Sequence, residues 1–324
     1  MTAENQPSVL VLGGGGFIGS HLVGALLARG RRVRVLEPPY RKYERLIPRH
    51  ENLEWIEGNF ANAHDIKRAL DNADSVFHLV STTQPQSSND NPAFDVQSNL
   101  LATIGLLEHM RSLKNIPLVF ISSGGTIYGK PQIIPIPETH PTEPQCSYAI
   151  VKLTIEKYLA LYHLLYGINY RILRLANPYG PGQEANRNQG LIGAFLPNIL
   201  GGRPIEVWGD GSTVRDYFYI GDAIEALLLA EHYSGSHRIF NIGSGRGHSI
   251  KEIIAALEVA TGRKAKIRFT AKREFDIPVN ILDIMLAQKE LGWRPSTVLN
   301  EGLRMTMDWL EHSWYCQVFC VKYS

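Results

Sequence analysis

Two residues in the middle of the chain stand at a spacing that can do acid–base chemistry. Tyr148 and Lys152 form a Tyr-x-x-x-Lys pair. Four residues is close to one helical turn, so both side chains project from the same face. A phenol with its ordinary pKa near ~10 is a poor base at neutral pH. An ammonium one turn away stabilises the phenolate and brings that pKa toward the working range. The pair alone occurs by chance in many helices. It gains weight from its position, one helix after a strand that ends in Ser122-Ser123.

A second constellation lies near the start. Gly13, Gly16 and Gly19 are spaced G-x-x-G-x-x-G, with Phe17 and Ile18 between the last two. The apolar run Val9 to Leu12 precedes them and reads as a strand buried on both faces. His21 to Arg29 follows with apolar residues at helical spacing and stops at Gly30, a good C-cap. Strand, glycine turn and helix together make a phosphate cradle. Residues without a Cβ let the backbone approach a pyrophosphate, and the helix N-terminus offers N–H groups and a positive dipole end. The next strand, 31–36, ends at Glu37. A carboxylate there accepts hydrogen bonds from adenosine ribose hydroxyls and repels a 2′-phosphate, so the expected cofactor is NAD rather than NADP. Arg41 and Lys42, close behind, weaken that preference slightly.

These residues need a scaffold, and strands alternating with helices supply one. Further strands are read at 53–60, 75–80, 118–123 and 168–175, with helices over 92–110 and 148–166. The expected fold is α/β, a Rossmann-type doubly wound parallel sheet with a smaller C-terminal α/β substrate-binding domain. The Pro/Gly-rich turn 176–182 marks the boundary. Residues 1–176 are then the NAD-binding domain, rejoined by about 213–243, and 177–324 mainly the substrate domain. His78, alone inside a strand, reads as a packed core residue. The turn 240–247 tempts as a second phosphate loop, but Ser249 and Glu252 form a capping box that explains it as a helix start. The end, 309–324, reads as an irregular aromatic and cysteine-containing tail.

The helix 148–166 is apolar on more than one face, and 92–110 carries apolar residues along its length. A helix of that kind needs cover on two sides and the sheet supplies one, so a homodimer through these helices is expected. Net charge is +2 with no basic or acidic block, which gives no footprint for nucleic acid or a membrane surface. No apolar run approaches the ~20 residues of a membrane span, and the polar start, 1–7, carries no signal-peptide pattern. The three cysteines, Cys146, Cys316 and Cys320, lack metal-site spacing. No metal is expected, and the compartment is expected to be reducing and cytoplasmic.

From Val9 to about Trp309 the order and spacing of these motifs resemble an extended short-chain dehydrogenase/reductase of the NAD-dependent sugar-nucleotide epimerase/dehydratase family, most like its UDP-glucose 4-epimerases. The resemblance implies a cofactor set of Gly13, Gly16, Phe17, Ile18, Gly19, Glu37, Asn59, Phe60, Leu79, Val80, Asn99 and Ser122, together with Tyr148 and Lys152. Asn59 stands where the family usually has an aspartate at the adenine, and an amide can also hydrogen-bond there. Tyr148 and Lys152 match the catalytic pair. Asn177 matches the asparagine of a substrate-contacting Asn-Pro turn, and Trp208 an aromatic residue that flanks uracil. Arg215 and Arg273 match arginines on the diphosphate, and Asp276 a nucleotide-ribose ligand. One departure concerns the turn after the fifth strand. Many relatives have a third serine there that binds the reacting hydroxyl, and here that position is Gly124. Relatives with Thr-Gly-Gly carry the hydroxyl one place earlier, which makes Ser123 the donor and Thr126 the reserve.

The implied reaction is inversion of C4 of a UDP-sugar through a 4-keto intermediate. Substrates are UDP-glucose/galactose or the N-acetyl forms, because Asn280 is intermediate in size at a position where relatives differ. A 4,6-dehydratase needs an Asp-Glu pair after the strand-five hydroxyl and a uronic-acid decarboxylase an acid in the same turn, and Gly124-Gly125 supplies neither. A nucleotide-sugar reductase or dehydrogenase of the same family is the alternative. A non-catalytic NAD-binding regulator would need neither Tyr148/Lys152 nor two phosphate arginines.

Overall fold

In the computed structural model, residues 7–38, 47, 49–85, 87–113, 115–183, 190–271 and 277–320 are described. The first strand shows why the sheet is covered on both sides. All five residues of β1 (Ser8–Leu12) are buried. Successive strand side chains point to opposite faces. Val9 and Val11 accordingly enter one apolar core, and Leu10 and Leu12 the other.

The main sheet also contains β2 (Val33–Glu37), β3 (Leu53–Glu57), β4 (Ala73–His78), β5 (Leu118–Ser123), β6 (Tyr170–Leu175) and β10 (Ile239–Ile242). Its order is β10-β6-β5-β4-β1-β2-β3, with every pairing parallel. The chain runs outward from β1 in one direction and returns through β4 in the other. The crevice where that order reverses, beyond the carboxyl ends of β1 and β4, is where doubly wound sheets bind nucleotides. α1 (Phe17–Ala28) and α6 (Ile220–His232) cover one face, through Leu22, Leu26, Ala223 and Leu227. α2 (Ala63–Leu70), the helical stretch α3 and α4 (Ser147–Tyr166) cover the other, through Ile66, Leu106, Ile155 and Leu159. α3 covers residues 92–110: Pro92–Asp95 and Ala102–Met110 are α-helical and flank a π-helical segment, Val96–Leu101.

Beyond β6 the chain builds smaller sheets. β7 (Asn177–Tyr179) pairs with β9 (Val214–Tyr219), which lies between β11 (Gly247–Ser249) and β13 (Val279–Asn280). β8 (Pro204–Trp208) pairs with β12 (Lys266–Thr270). α5 (Leu191–Leu200), α7 (Ile250–Thr261), α8 (Met285–Leu291) and α9 (Leu299–Cys320) complete this part. Ser249 and Glu252 do form the capping box that starts α7. As far as Cys320, the end of the chain is not the irregular tail its composition suggests, and 321–324 lie outside the described residues. Residues 309–320 continue α9, whose mixed polar and aromatic sequence hides its period. Among the described residues, no helix is long and apolar enough to cross a membrane.

Candidate active site

Gly13 leaves β1 with φ +85°, and a Cβ there would lie 3.1 Å from the backbone of Leu79 and Val80. Gly19 is tighter, since a Cβ would sit 2.2 Å from the Gly13 carbonyl oxygen. The two glycines therefore let α1 start directly against the end of β1. The turn is closed by Gly16 N–H donating to Gly13 O at 3.1 Å. Gly16 is the N-cap of α1 and no side chain caps that end. The N–H groups around Phe17 and Ile18 thus sit in a cradle that a pyrophosphate fits. Leu79 and Val80 follow β4, with Leu79 N–H bonded to Leu12 O at 3.0 Å.

Glu37 ends β2 buried, and its Oε1 accepts from Gly15 N–H at 2.7 Å. The ribose acid is thereby tied to the phosphate loop. Asn59 Oδ1 accepts from Ala61 N–H at 2.9 Å, and its own N–H donates to Asp65 Oδ2 at 2.9 Å. Phe60 turns its ring into the core, 4.9 Å from the His78 ring. Contact between Phe60 and an adenine thus falls to its backbone. His78 is buried and held well below its ordinary pKa, by burial first and Lys152 second. Its Nε2 lies 2.8 Å from Thr103 Oγ1, which itself donates to Asn99 O at 2.6 Å.

Tyr148 is the second residue of α4. That helix begins without a side-chain cap from Cys146, its own N-cap residue. The donors of its first turn are satisfied from the loop after β4: Tyr148 N–H donates to Ser88 Oγ at 3.0 Å, and Ser147 N–H to Asn89 Oδ1 at 2.9 Å. One turn on, the Lys152 Nζ donates to Ile121 O at 3.0 Å, with the Phe120 ring centroid 4.7 Å and the Tyr148 ring centroid 5.8 Å away. Burial lowers Lys152 to about 8, opposed by Asp95 and Glu156. Burial also raises Tyr148 to about 12, against the pull of the Ser123 hydroxyl. The expected depression of the phenol by its lysine is therefore not what this structure holds. Desolvation pushes the phenol the other way, and Cys146 and Asp95 act in the same direction.

Ser123 ends β5, half-buried, and accepts a hydrogen bond from Thr126 Oγ1 at 2.9 Å. At Gly124 a Cβ would come within 2.5 Å of Leu282 Cδ1 and 3.1 Å of Arg174 O, so the packing here is built around the missing side chain. Asn280 Nδ2 donates to Gly124 O at 3.2 Å, while its buried Oδ1 has no hydrogen-bond partner among the described residues. Ser122, expected at the cofactor, points the other way. It donates to Glu156 Oε1 at 2.5 Å, and Glu156 is paired with Arg174 at 2.6 Å. Only its backbone is left for a cofactor contact. Asn99 lies in the π-helical segment and accepts from Thr82 N–H at 3.0 Å, fixing the loop after β4.

Among the residues expected at the substrate, Asn177 Nδ2 donates to Asp216 O at 2.9 Å. Arg215 lies in register with Asn280, and its Nη1 donates to the carbonyls of Val214 (2.9 Å) and Ile277 (2.6 Å). Asn280 thus links Arg215's strand to the Gly124 turn. Trp208 ends β8 with its side chain exposed. Arg273 and Asp276 lie outside the described residues. Sequence reasoning missed Asp95, Glu156 and Asp216, all buried carboxylates. Asp95 and Asn99 stand four residues apart, and Glu156 four after Lys152. That spacing was the available signal.

Residues 9–243 match the model of the NAD dependent epimerase/dehydratase family. The UDP-glucose 4-epimerase of Mycolicibacterium smegmatis is 33% identical over 308 residues, 94% of this chain and 98% of that protein. The solved structure of the Thermotoga maritima UDP-glucose 4-epimerase with UDP-glucose superposes with a TM-score of 0.90 at 34% identity, covering 95% of this chain and 99% of that one. The Thermus thermophilus UDP-glucose 4-epimerase in complex with NAD gives a TM-score of 0.87 at 34% identity, covering 94% and 99%.

Proposed function

Because this chain belongs to the NAD-dependent epimerase/dehydratase family, we propose that it inverts C4 of a UDP-sugar, UDP-glucose/galactose or an N-acetyl form. The observation that carries this reading is the joining of Tyr148, Lys152 and the Ser123–Thr126 hydroxyl pair at the carboxyl edge of one sheet, beside an uncapped glycine cradle.

The cradle fits NAD: Gly13 and Gly19 have no room for a Cβ, the α1 N-terminus is open, and Glu37 is held at the loop. Gly13, Gly16, Phe17, Ile18 and Gly19 hold the pyrophosphate, Glu37 the adenosine ribose, and Asn59 with the Phe60 backbone the adenine. Leu79, Val80, Asn99 and the Ser122 backbone line the path toward the nicotinamide. NAD supplies an acceptor for hydride from the sugar and returns it, so no net oxidant is consumed.

Tyr148 takes the proton of the C4 hydroxyl and gives it back. With the phenol at about 12, it is protonated in the free chain, and the Lys152 ammonium must offset its ionisation when the site is filled. Ser123 donates to the C4 oxygen as it becomes a ketone. Thr126 donates to Ser123, whose own hydroxyl bonds Tyr148 in the free chain and turns to the sugar oxygen when substrate is bound. Arg215 and, outside the described residues, Arg273 anchor the diphosphate while the 4-keto sugar turns over. Asn177, Trp208 and Asp276 hold the remainder of the substrate. The catalytic half comprises 1–176 with about 213–243, and 177–324 mainly the substrate half. The working form is a homodimer through α3 and α4.

Purified protein is incubated with UDP-galactose, and separately with UDP-GalNAc, without added NAD, and the sugar nucleotides are separated by chromatography. Conversion to the C4 epimer, lost in Tyr148→Phe, is expected. No conversion even with NAD supplied overturns the reading, and stoichiometric consumption of a reduced nicotinamide would replace it with a reductase.

A further inference from the structure

We propose that Asp95 is a positioning residue for the Tyr148–Lys152 pair, holding the first turn of α4 through a fully buried carboxylate bonded to Ser147. This rests on the reading of Tyr148 and Lys152 as the acid–base residues. Asp95 has 0% exposure. Its Oδ1 accepts from Thr83 Oγ1 at 2.6 Å and Asn99 Nδ2 at 2.9 Å, and its Oδ2 from Ser147 Oγ at 2.7 Å. One side chain thus joins the loop after β4, the π-helical segment of α3 and the residue immediately before Tyr148. If Asp95 is lost, the end of α4 that carries the phenol loses its side-chain tie to α3.

The three donors are neutral groups, and neutral donors offset only part of the cost of burying a carboxylate. The cation close to Asp95 in the same interior is Lys152, whose ammonium form Asp95 favours against burial. Glu156 acts on Lys152 in the same direction, but it is bonded by Arg174 Nη2 at 2.6 Å and Arg174 Nε at 3.1 Å and its charge is balanced there. Asp95 also raises Tyr148, as does Cys146 at the start of α4, and the other titratable group beside the pair is His78 on β4, held well below its ordinary value by burial. Phe120 and the Ile121 carbonyl face Lys152 from β5. Asp95 therefore places Tyr148 through Ser147 and keeps Lys152 charged through space.

The test compares the purified chain with Asp95→Asn, which removes the charge and keeps the shape, and with Ser147→Ala, which removes one bond and keeps the charge. Asp95→Asn is expected to lower kcat roughly 10- to 100-fold, with KM little changed. It is also expected to move the alkaline limb of kcat/KM to lower pH by about one unit or more. Ser147→Ala is expected to lower kcat less and leave that limb in place. The 13Cε signal of Lys152, assigned with Lys152→Arg, needs no substrate and is expected to titrate at lower pH in Asp95→Asn. An unmoved Lys152 titration overturns the proposal, whether or not any UDP-sugar is converted. Should the wild type convert none, the functional reading fails and that titration still decides the role of Asp95. Should Asp95→Asn fail to fold, Ser147→Ala and Thr83→Val carry the test, and wild-type kcat in both overturns it.

Discussion

Thr126 Oγ1 donates to Ser123 Oγ across 2.9 Å, which makes the two hydroxyls a relay with a direction. Thr126 has spent its proton on the serine, and the Ser123 hydroxyl in turn bonds the Tyr148 phenol. Ser123→Ala is expected to lower kcat by about 10²–10³. Thr126→Val, acting only through Ser123, is expected to cost about ten-fold. The double variant is expected to be no worse than Ser123→Ala alone, because the residues share one function. Steady-state kinetics on the three variants checks this, and a larger loss in Thr126→Val would reverse the roles.

The relay stands next to Gly124, where the resemblance leads to an expected serine, and the packing excludes that residue here. A Cβ at Gly124 would meet Leu282 Cδ1 at 2.5 Å, and Leu282 is fully buried. Gly124→Ser is expected to destabilise the chain by about 1–3 kcal/mol through overpacking. The penalty should shrink in a Leu282→Ala background, where the missing methyls leave room and only the 3.1 Å approach to Arg174 O remains. Urea denaturation of the four-member cycle measures the coupling, and equal penalties in both backgrounds would place the strain elsewhere.

Gly19 has no such escape. Its hypothetical Cβ meets a backbone oxygen, Gly13 O, at 2.2 Å, so relief requires moving α1 away from β1. Gly19→Ala is expected to lose bound NAD before it loses its fold, because the displacement opens the cradle at the pyrophosphate. Nucleotide released on denaturing the purified variant, quantified against wild type, reports the loss.

What could be read from the sequence follows from how far each constraint reaches along the chain. Gly13 and Gly19 are constrained by one another within a single turn, and Tyr148 and Lys152 are one helical turn apart, so type and spacing disclose them. Glu37 was legible because the strand before it ends in a fixed place. Ser122 shows the opposite case. Adjacent strand residues face opposite sides, so a Ser-Ser end puts Ser123 at the site and Ser122 on Glu156. Pattern alone does not say which serine faces which way. Ser88 and Asn89, and the bond Asp95 makes to Ser147, were illegible for a different reason. They satisfy the start of α4 from 52 to 60 residues away, and nothing in their local composition marks that task. The π-helical turn at 96–101 likewise serves contacts of Asn99 that only the folded chain assembles.

Burial of Lys152 links stability to pH with a definite sign. Its pKa falls from 10.5 to about 8 on folding, so between those values the unfolded chain binds more protons than the folded one. Stability from this group therefore rises with pH across that window, and the cost of burying the ammonium is fully present below about 8. Lys152→Met removes the titrating group. The stability of wild type relative to Lys152→Met is expected to rise between pH 8 and 10.5 and to be flat below 8. Denaturant midpoints for both proteins over that range measure it, and parallel curves would show that Lys152 keeps an ordinary pKa in the fold.

The outer face of α4 carries Ile150, Leu161, Leu164 and Leu165, and α3 carries Phe94, Val96 and Leu101, all exposed in the single chain, Leu164 to 80%. Positions 161, 164 and 165 follow helical spacing and form one stripe. The opposite face of α4 is already spent on the sheet through Val151, Ile155 and Leu159. An apolar stripe of this kind on two adjacent helices is a surface that a homodimer about a two-fold axis, the commonest geometry, would bury. Leu164→Glu would then place an unpaired carboxylate in that contact, at a cost of several kcal/mol. Sedimentation velocity is expected to show a dimer for the wild type and a monomer for Leu164→Glu. A wild type that sediments as a monomer would mean that α3 and α4 meet something other than a second copy.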